Sequence, residues 1–187
     1  MNNYSIILEK NINYQNVKKM PSFKETYDAI KADWNAGEKN FNIECEMMPD
    51  GMQIMCSMGN PAGEPFKLLI DAPGGLDGTN IGPSPLLVIL SSVGACIIAV
   101  TRFWAKIMDV HIEELKVFSR GHINLGAIFG LDDSKLAGYD KLEPVIRIKA
   151  DASEEKINEL MDKVFKHCPV ITNFGGASPI TPKVQIR

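Results

Sequence analysis

The chain has 187 residues, enough for one domain of ordinary size with a substantial core. Hydrophobic residues make up 45%, charged residues 23%, and the net charge is −3, the balance of a soluble globular protein. With no basic tract, nucleic acid is not an expected partner. The N-terminus has no basic lead into a signal-peptide core, so a cytoplasmic protein is expected. Four cysteines are too few for a disulfide scaffold and in a reducing compartment are thiols.

In chain order, Ser5–Leu8 is expected to form a short strand. Pro21-Ser22 opens a helical pattern in which Phe23, Tyr27, Ile30 and Trp34 share a face, and Gly37 ends it. Two strands follow, over 40–48 and 52–58. Asp50-Gly51 between them is a hairpin signal. Centring the hairpin there sets Cys45 opposite Cys56. A two-residue loop makes that a hydrogen-bonded, wider pair. The two thiols read as packing or edge residues, not as a disulfide or metal site. A third strand is expected over about 64–71.

Residues 72–85 are rich in glycine and proline, a loop that turns repeatedly. Ser84-Pro85 then provides a cap and a first-turn proline for a helix reaching about Asp109. Its expected stripe is Ile89, Val93, Cys96, Val100, Phe103 and Ile107. The first half is apolar on all sides, which predicts cover on more than one side. Ser91, Ser92 and Gly94 interrupt its apolar run, which reads as too short to cross a bilayer comfortably; no membrane contact is expected. A long strand over 112–125, a loop over 126–140 and a strand over 142–152 come next. Ser153 caps a helix whose apolar face is Ile157, Leu160, Met161, Val164, Phe165 and Cys168, with Glu154 and Glu155 in its first turn. Pro182–Arg187 alternates as a last edge strand. The whole is an α+β pattern with no evident boundary between two domains.

Among the candidate chemistries, metal binding has no support in spacing. There is no Cys-x-x-Cys or His-x-x-x-His, and His111, His122 and His167 are scattered. His167 projects away from Cys168 on the helix. Gly74, Gly75 and Gly78 lack a phosphate-loop frame, and no serine occupies a Gly-x-Ser-x-Gly elbow. Asp132-Asp133 reads as a solvated turn.

The thiols remain. Cys96 follows Gly94-Ala95, small residues that let another group approach closely. A buried free cysteine behaves as a small hydrophobe, so inert packing and redox chemistry are both open. Cys168 precedes Pro169, which ends helical geometry at that point. The helix dipole there opposes negative charge, which suits a resolving thiol better than an attacking one. Cys96, mid-helix, needs a cation from elsewhere if it is to attack.

The run Gly82-Pro83-Ser84-Pro85 leading to Gly94-Ala95-Cys96, together with Cys168-Pro169-Val170, resembles the OsmC/Ohr superfamily. The resemblance covers about residue 40 to the C-terminus, leaving 1–39 as an N-terminal arm with a helix and 40–187 as the OsmC-like domain. It implies an intertwined homodimer, with antiparallel sheets wrapped around two central helices. It also implies reduction of organic hydroperoxides without metal, flavin or other cofactor. Cys96 would attack the peroxide, Cys168 would close a disulfide, and an external dithiol would restore both. In the family's peroxidases an early arginine holds the thiolate and a glutamate orients it. Here Leu86 and Leu87 follow Pro85, and no arginine precedes Arg102. Arg102 is on another helix face, so Arg120 is the candidate thiolate-stabilising substitute, with lysines in the first 70 residues as alternatives that lack an arginine's fork. Weakened peroxidase activity, a noncatalytic protein for apolar ligands and a thiol redox sensor on the same scaffold are the functional expectations.

Overall fold

The computed structural model describes residues 20–49, 51–60 and 63–177. The expected strands at Ser5–Leu8 and Pro182–Arg187 lie outside them. By packing, the chain forms two compact units, Met1–Ser84 and Pro85–Arg187, where the sequence shows no evident boundary. This division is distinct from the arm-and-domain division expected at 39/40.

In the N-terminal unit, α1 spans Phe23–Ala32. Ser22 starts it with a capping box: its hydroxyl accepts from the Glu25 N–H, and the Glu25 carboxylate accepts from the Ser22 N–H at 2.7 Å. Trp34, expected on the helical stripe, lies beyond it in a 3₁₀ turn, Trp34–Gly37, and is 82% exposed. Asp33 leaves helical geometry, and its carboxylate accepts from the Asn35 N–H at 3.0 Å. The Asp33 side chain therefore competes for the backbone where the helix stops.

Strands β1 (Ile43–Met47), β2 (Ile54–Met58) and β3 (Phe66–Ile70) form an antiparallel sheet in that order. Gly51 takes a φ of +63° in the turn, a conformation that favours glycine. Cys45 does pair with Cys56. The type of pair differs from expectation. The Met48 N–H donates to Gln53 O at 3.0 Å, so the ladder bond nearest the turn joins residues 48 and 53. Pairs alternate along the ladder, which makes Cys45–Cys56 a narrow, non-hydrogen-bonded pair. The loop is longer than two residues, and that shifts the alternation by one.

The loop after β3 is held by one buried carboxylate. Asp71 accepts from the N–H groups of Ala72 (2.8 Å), Thr79 (2.9 Å) and Ile81 (3.2 Å), and from the Thr79 hydroxyl (2.6 Å). Glycine is required where the loop folds back: a Cβ on Gly78 would lie 1.8 Å from Ala72 O.

In the C-terminal unit, α2 spans Pro85–Ile107. Strands β4 (His111–His122) and β5 (Lys141–Asp151) form an antiparallel ribbon. Helix α3 is a single turn, Leu125–Ile128, where a plain loop is expected; the Asn124 side chain caps it. The long amphipathic helix α4 spans Glu154–His167, with Ser153 accepting from the Lys156 N–H as the sequence indicates. A register shift between Ile112 and Glu114 lets Ile112 and Leu115 keep one face of the ribbon, opposite Ala150 and Ile148.

The buried stripe of α2 is Val93, Gly94, Ile97, Val100, Thr101 and Ala105, with Leu160 and Val164 of α4 packed in the same core. Phe103 and Ile107, expected on the stripe, are 49% and 41% exposed. The physical reason is close approach: small residues turn toward the ribbon, and a Cβ on Gly94 would stand only 3.1 Å from Ser119 Oγ. Among the described residues the ribbon and α4 cover two sides of α2, and the side carrying Leu87, Ser91 and Ala95 is exposed.

At 23 residues, α2 is long and apolar enough to cross a membrane by length and composition, contrary to the reading from its serines. Those hydroxyls return to their own helix: Ser91 donates to Val88 O (2.8 Å) and Ser92 to Ile89 O (2.7 Å). Its packing against the ribbon and α4 makes it the core helix of this unit.

Candidate functional site

Cys96 lies in the middle of α2, two residues after the close approach at Gly94. Cys168 stands where α4 ends and a short helix α5, Pro169–Thr172, begins. The sequence indicates only the ending. Pro169 suits the first position of a helix because it has no N–H to leave unpaired. Cys168 is fully buried and Cys96 half-buried. Although 72 positions apart, their sulfurs stand 3.5 Å from each other.

The environment of Cys96 works in two directions. Burial is the largest influence and pushes the thiol above its ordinary value. The backbone N–H of Val170 bonds to the sulfur and favours the thiolate, while Cys168 opposes ionisation. The sequence reading missed this donor. Its signal is Cys-Pro-Val: a residue in the first turn after the proline has an N–H without a partner inside its own helix.

Arg120 is not brought to Cys96 within one chain. Val117 and Ser119 stand beside Gly94, and Arg120 alternates with them, exposed on the opposite face of the ribbon and paired in register with Glu143. The His167 ring lies against Trp104 with centroids 5.1 Å apart. Among the described residues, no group of three or more His, Cys, Asp or Glu side chains is placed to hold a metal ion.

Beside the thiols is an apolar cavity of about 240 Å³, lined by Val93, Leu142, Pro144, Phe165, Val170 and neighbours. Val170 belongs to both features, since its N–H meets Cys96 and its side chain lines the cavity.

The site defines a class: an α+β protein in which a core helix and the end of a second helix bring two distant thiols together beside an antiparallel ribbon. Residues 77–183 match the family model described as OsmC-like protein, and the chain belongs to the OsmC-like protein family. Solved structures agree in fold. An OsmC-like protein from Mycoplasma pneumoniae is 22% identical, with a TM-score of 0.62 over 74% of this chain and 89% of its own. An organic hydroperoxide resistance protein from Elizabethkingia anophelis is 16% identical, with a TM-score of 0.54 over 74% and 90%. An OsmC-like protein of unknown function from Vibrio cholerae is 9% identical, with a TM-score of 0.54 over 73% and 94%. No curated protein sequence matches this chain.

Proposed function

We propose that the protein reduces organic hydroperoxides with Cys96 and Cys168, at a reduced rate, in a reducing cytoplasmic setting. The Cys96 thiolate attacks the peroxide O–O bond, releases the alcohol and becomes a sulfenic acid. Cys168 then displaces water from that sulfur and closes a disulfide. An external dithiol takes the disulfide back to two thiols and is itself oxidised. The observation that carries this reading is the 3.5 Å approach of two sulfurs from separate helices. The apolar cavity beside Val170 suits a hydroperoxide with a hydrocarbon body. The hydroperoxide resistance protein among the structural neighbours supports the same reaction class.

The reduced rate follows from the sulfur's surroundings. Burial holds Cys96 in the thiol form, and a neutral peptide N–H replaces the guanidinium that the family's peroxidases use. Arg120, exposed on the opposite face of the ribbon, is open to a thiolate of another chain. A homodimer fits the apolar surface that α2 exposes among the described residues, with Leu87 56% and Phe103 49% exposed; light scattering of the purified chain tests it.

The test of function is to mix reduced protein with cumene hydroperoxide and map the thiols. The expected result is a Cys96–Cys168 disulfide formed before any loss at Cys45 or Cys56, abolished by Cys96→Ser. Equal oxidation of all four thiols, or none, would end the proposal.

A further inference from the structure

A second pair of thiols lies outside this site. Cys45 on β1 and Cys56 on β2 are direct partners, and their sulfurs are 3.2 Å apart. Three features favour bond formation between them. At a non-hydrogen-bonded position, partner Cα atoms are about 4.5 Å apart, at the close end of the roughly 4.4–6.8 Å that a disulfide spans. Among the described residues Cys45 belongs to an edge strand whose one neighbour is β2, so moving toward β2 breaks no second ladder there. Finally, Cys45 is exposed and Cys56 is buried, which separates an accessible sulfur from a sheltered one.

We propose that Cys45 and Cys56 form a second oxidisable dithiol, which closes to a cross-strand disulfide by exchange with a low-molecular-weight disulfide. The Cys45 thiolate attacks one sulfur of the small disulfide, breaks its S–S bond and expels one thiolate, leaving a mixed disulfide on Cys45. The Cys56 thiolate then attacks the Cys45 sulfur and expels the second thiolate. The protein loses two electrons and two protons, and the small disulfide becomes two thiols. The order of attack follows from the geometry, and it agrees with the hydrogen bond to Cys45 and the burial that keep Cys56 protonated. The product ties the edge strand to the centre of the sheet and locks the register of the hairpin. Residues that read in sequence as simple packing thereby become a modification site for glutathione-type disulfides.

The test incubates the reduced full-length chain with glutathione disulfide, blocks remaining thiols with iodoacetamide and maps the peptides. No Lys or Arg lies between the two cysteines, so a protease cutting before Asp50 is used to separate them. The expected result is a Cys45–Cys56 linked peptide that has lost two alkylatable thiols. The same link is expected in a Cys96→Ser, Cys168→Ser variant, which has no peroxide-site thiols. Should that variant fail to fold, the wild-type map reads the link directly, since the two pairs give different peptides. A stable glutathione adduct on Cys45 with Cys56 still alkylatable would overturn the proposal, as would full alkylation of both. Neither result bears on the hydroperoxide reaction.

Discussion

Thr79 donates both its backbone N–H and its hydroxyl to the same oxygen of Asp71, at 2.9 and 2.6 Å. This doubly held carboxylate anchors the loop that follows β3. The Thr79 hydroxyl, followed by the N–H groups of Ile81, Ala72 and Thr79, holds the Asp71 carboxyl below its ordinary value against the opposing effect of burial. A depressed native pKa stabilises the fold above the unfolded carboxyl's value, and the contribution disappears as pH falls through the native one. Asp71→Asn is therefore expected to lower the melting temperature at pH 7 and to flatten its decline between neutral and acid pH. Parallel melts of both proteins across that range check this.

Burial of Cys96 predicts a reactivity profile. With the thiol pushed above its ordinary value, iodoacetamide alkylation of Cys96 at pH 7 is expected to be slower than that of an exposed cysteine. The rate should climb about tenfold per pH unit until the raised value is reached. The linked stability has the opposite trend: it is complete below the unfolded thiol's pKa and is lost as pH rises through the folded one. Peptide-resolved alkylation from pH 6 to 10 measures the reactivity profile, and a rate plateau reached by neutral pH would contradict the raised thiol value.

Leu160 is fully buried in the core shared by α2 and α4. Leu160→Ala is expected to cost about 2–5 kcal/mol through lost burial and the cavity left behind. Urea denaturation reads the loss. Phe103→Ala on the exposed side of α2 should cost less in the isolated chain and more if a second copy covers that face.

Gly121 is a position where space decides the residue. A Cβ there would lie 2.3 Å from Tyr139 Cε1, so the ring must move and its hydroxyl must leave Leu86 O, now 2.8 Å away. Gly121→Ala is expected to cost about 1–3 kcal/mol by overpacking. Tyr139→Phe, which removes only the hydrogen bond, should cost about 1 kcal/mol. The ranking of the two variants in denaturant melts is the check.

Local chemistry made much of the fold legible. Ser22 and Ser153 mark the starts of α1 and α4 because a cap acts on N–H groups two or three residues away. Asp50-Gly51 marks the hairpin, and the sum of positions about it sets Cys45 opposite Cys56. The hydrogen-bonding phase of that pair was not legible, because it depends on which residues close the loop. The family resemblance is carried by the two cysteine motifs around Cys96 and Cys168.

What the sequence by itself determined, then, was element order, caps, the hairpin register and the two cysteines worth following. Tertiary structure alone decided that Phe103 and Ile107 turn outward, that Arg120 belongs to the far face of its ribbon, and that Val170 offers its N–H to Cys96. Caps and periodicity act over a few residues and are written in neighbouring side chains. The rotation of α2 is set instead by how closely Gly94, Thr101 and Ala105 can approach another element, and the 3.5 Å between two sulfurs depends on packing across 72 positions of chain.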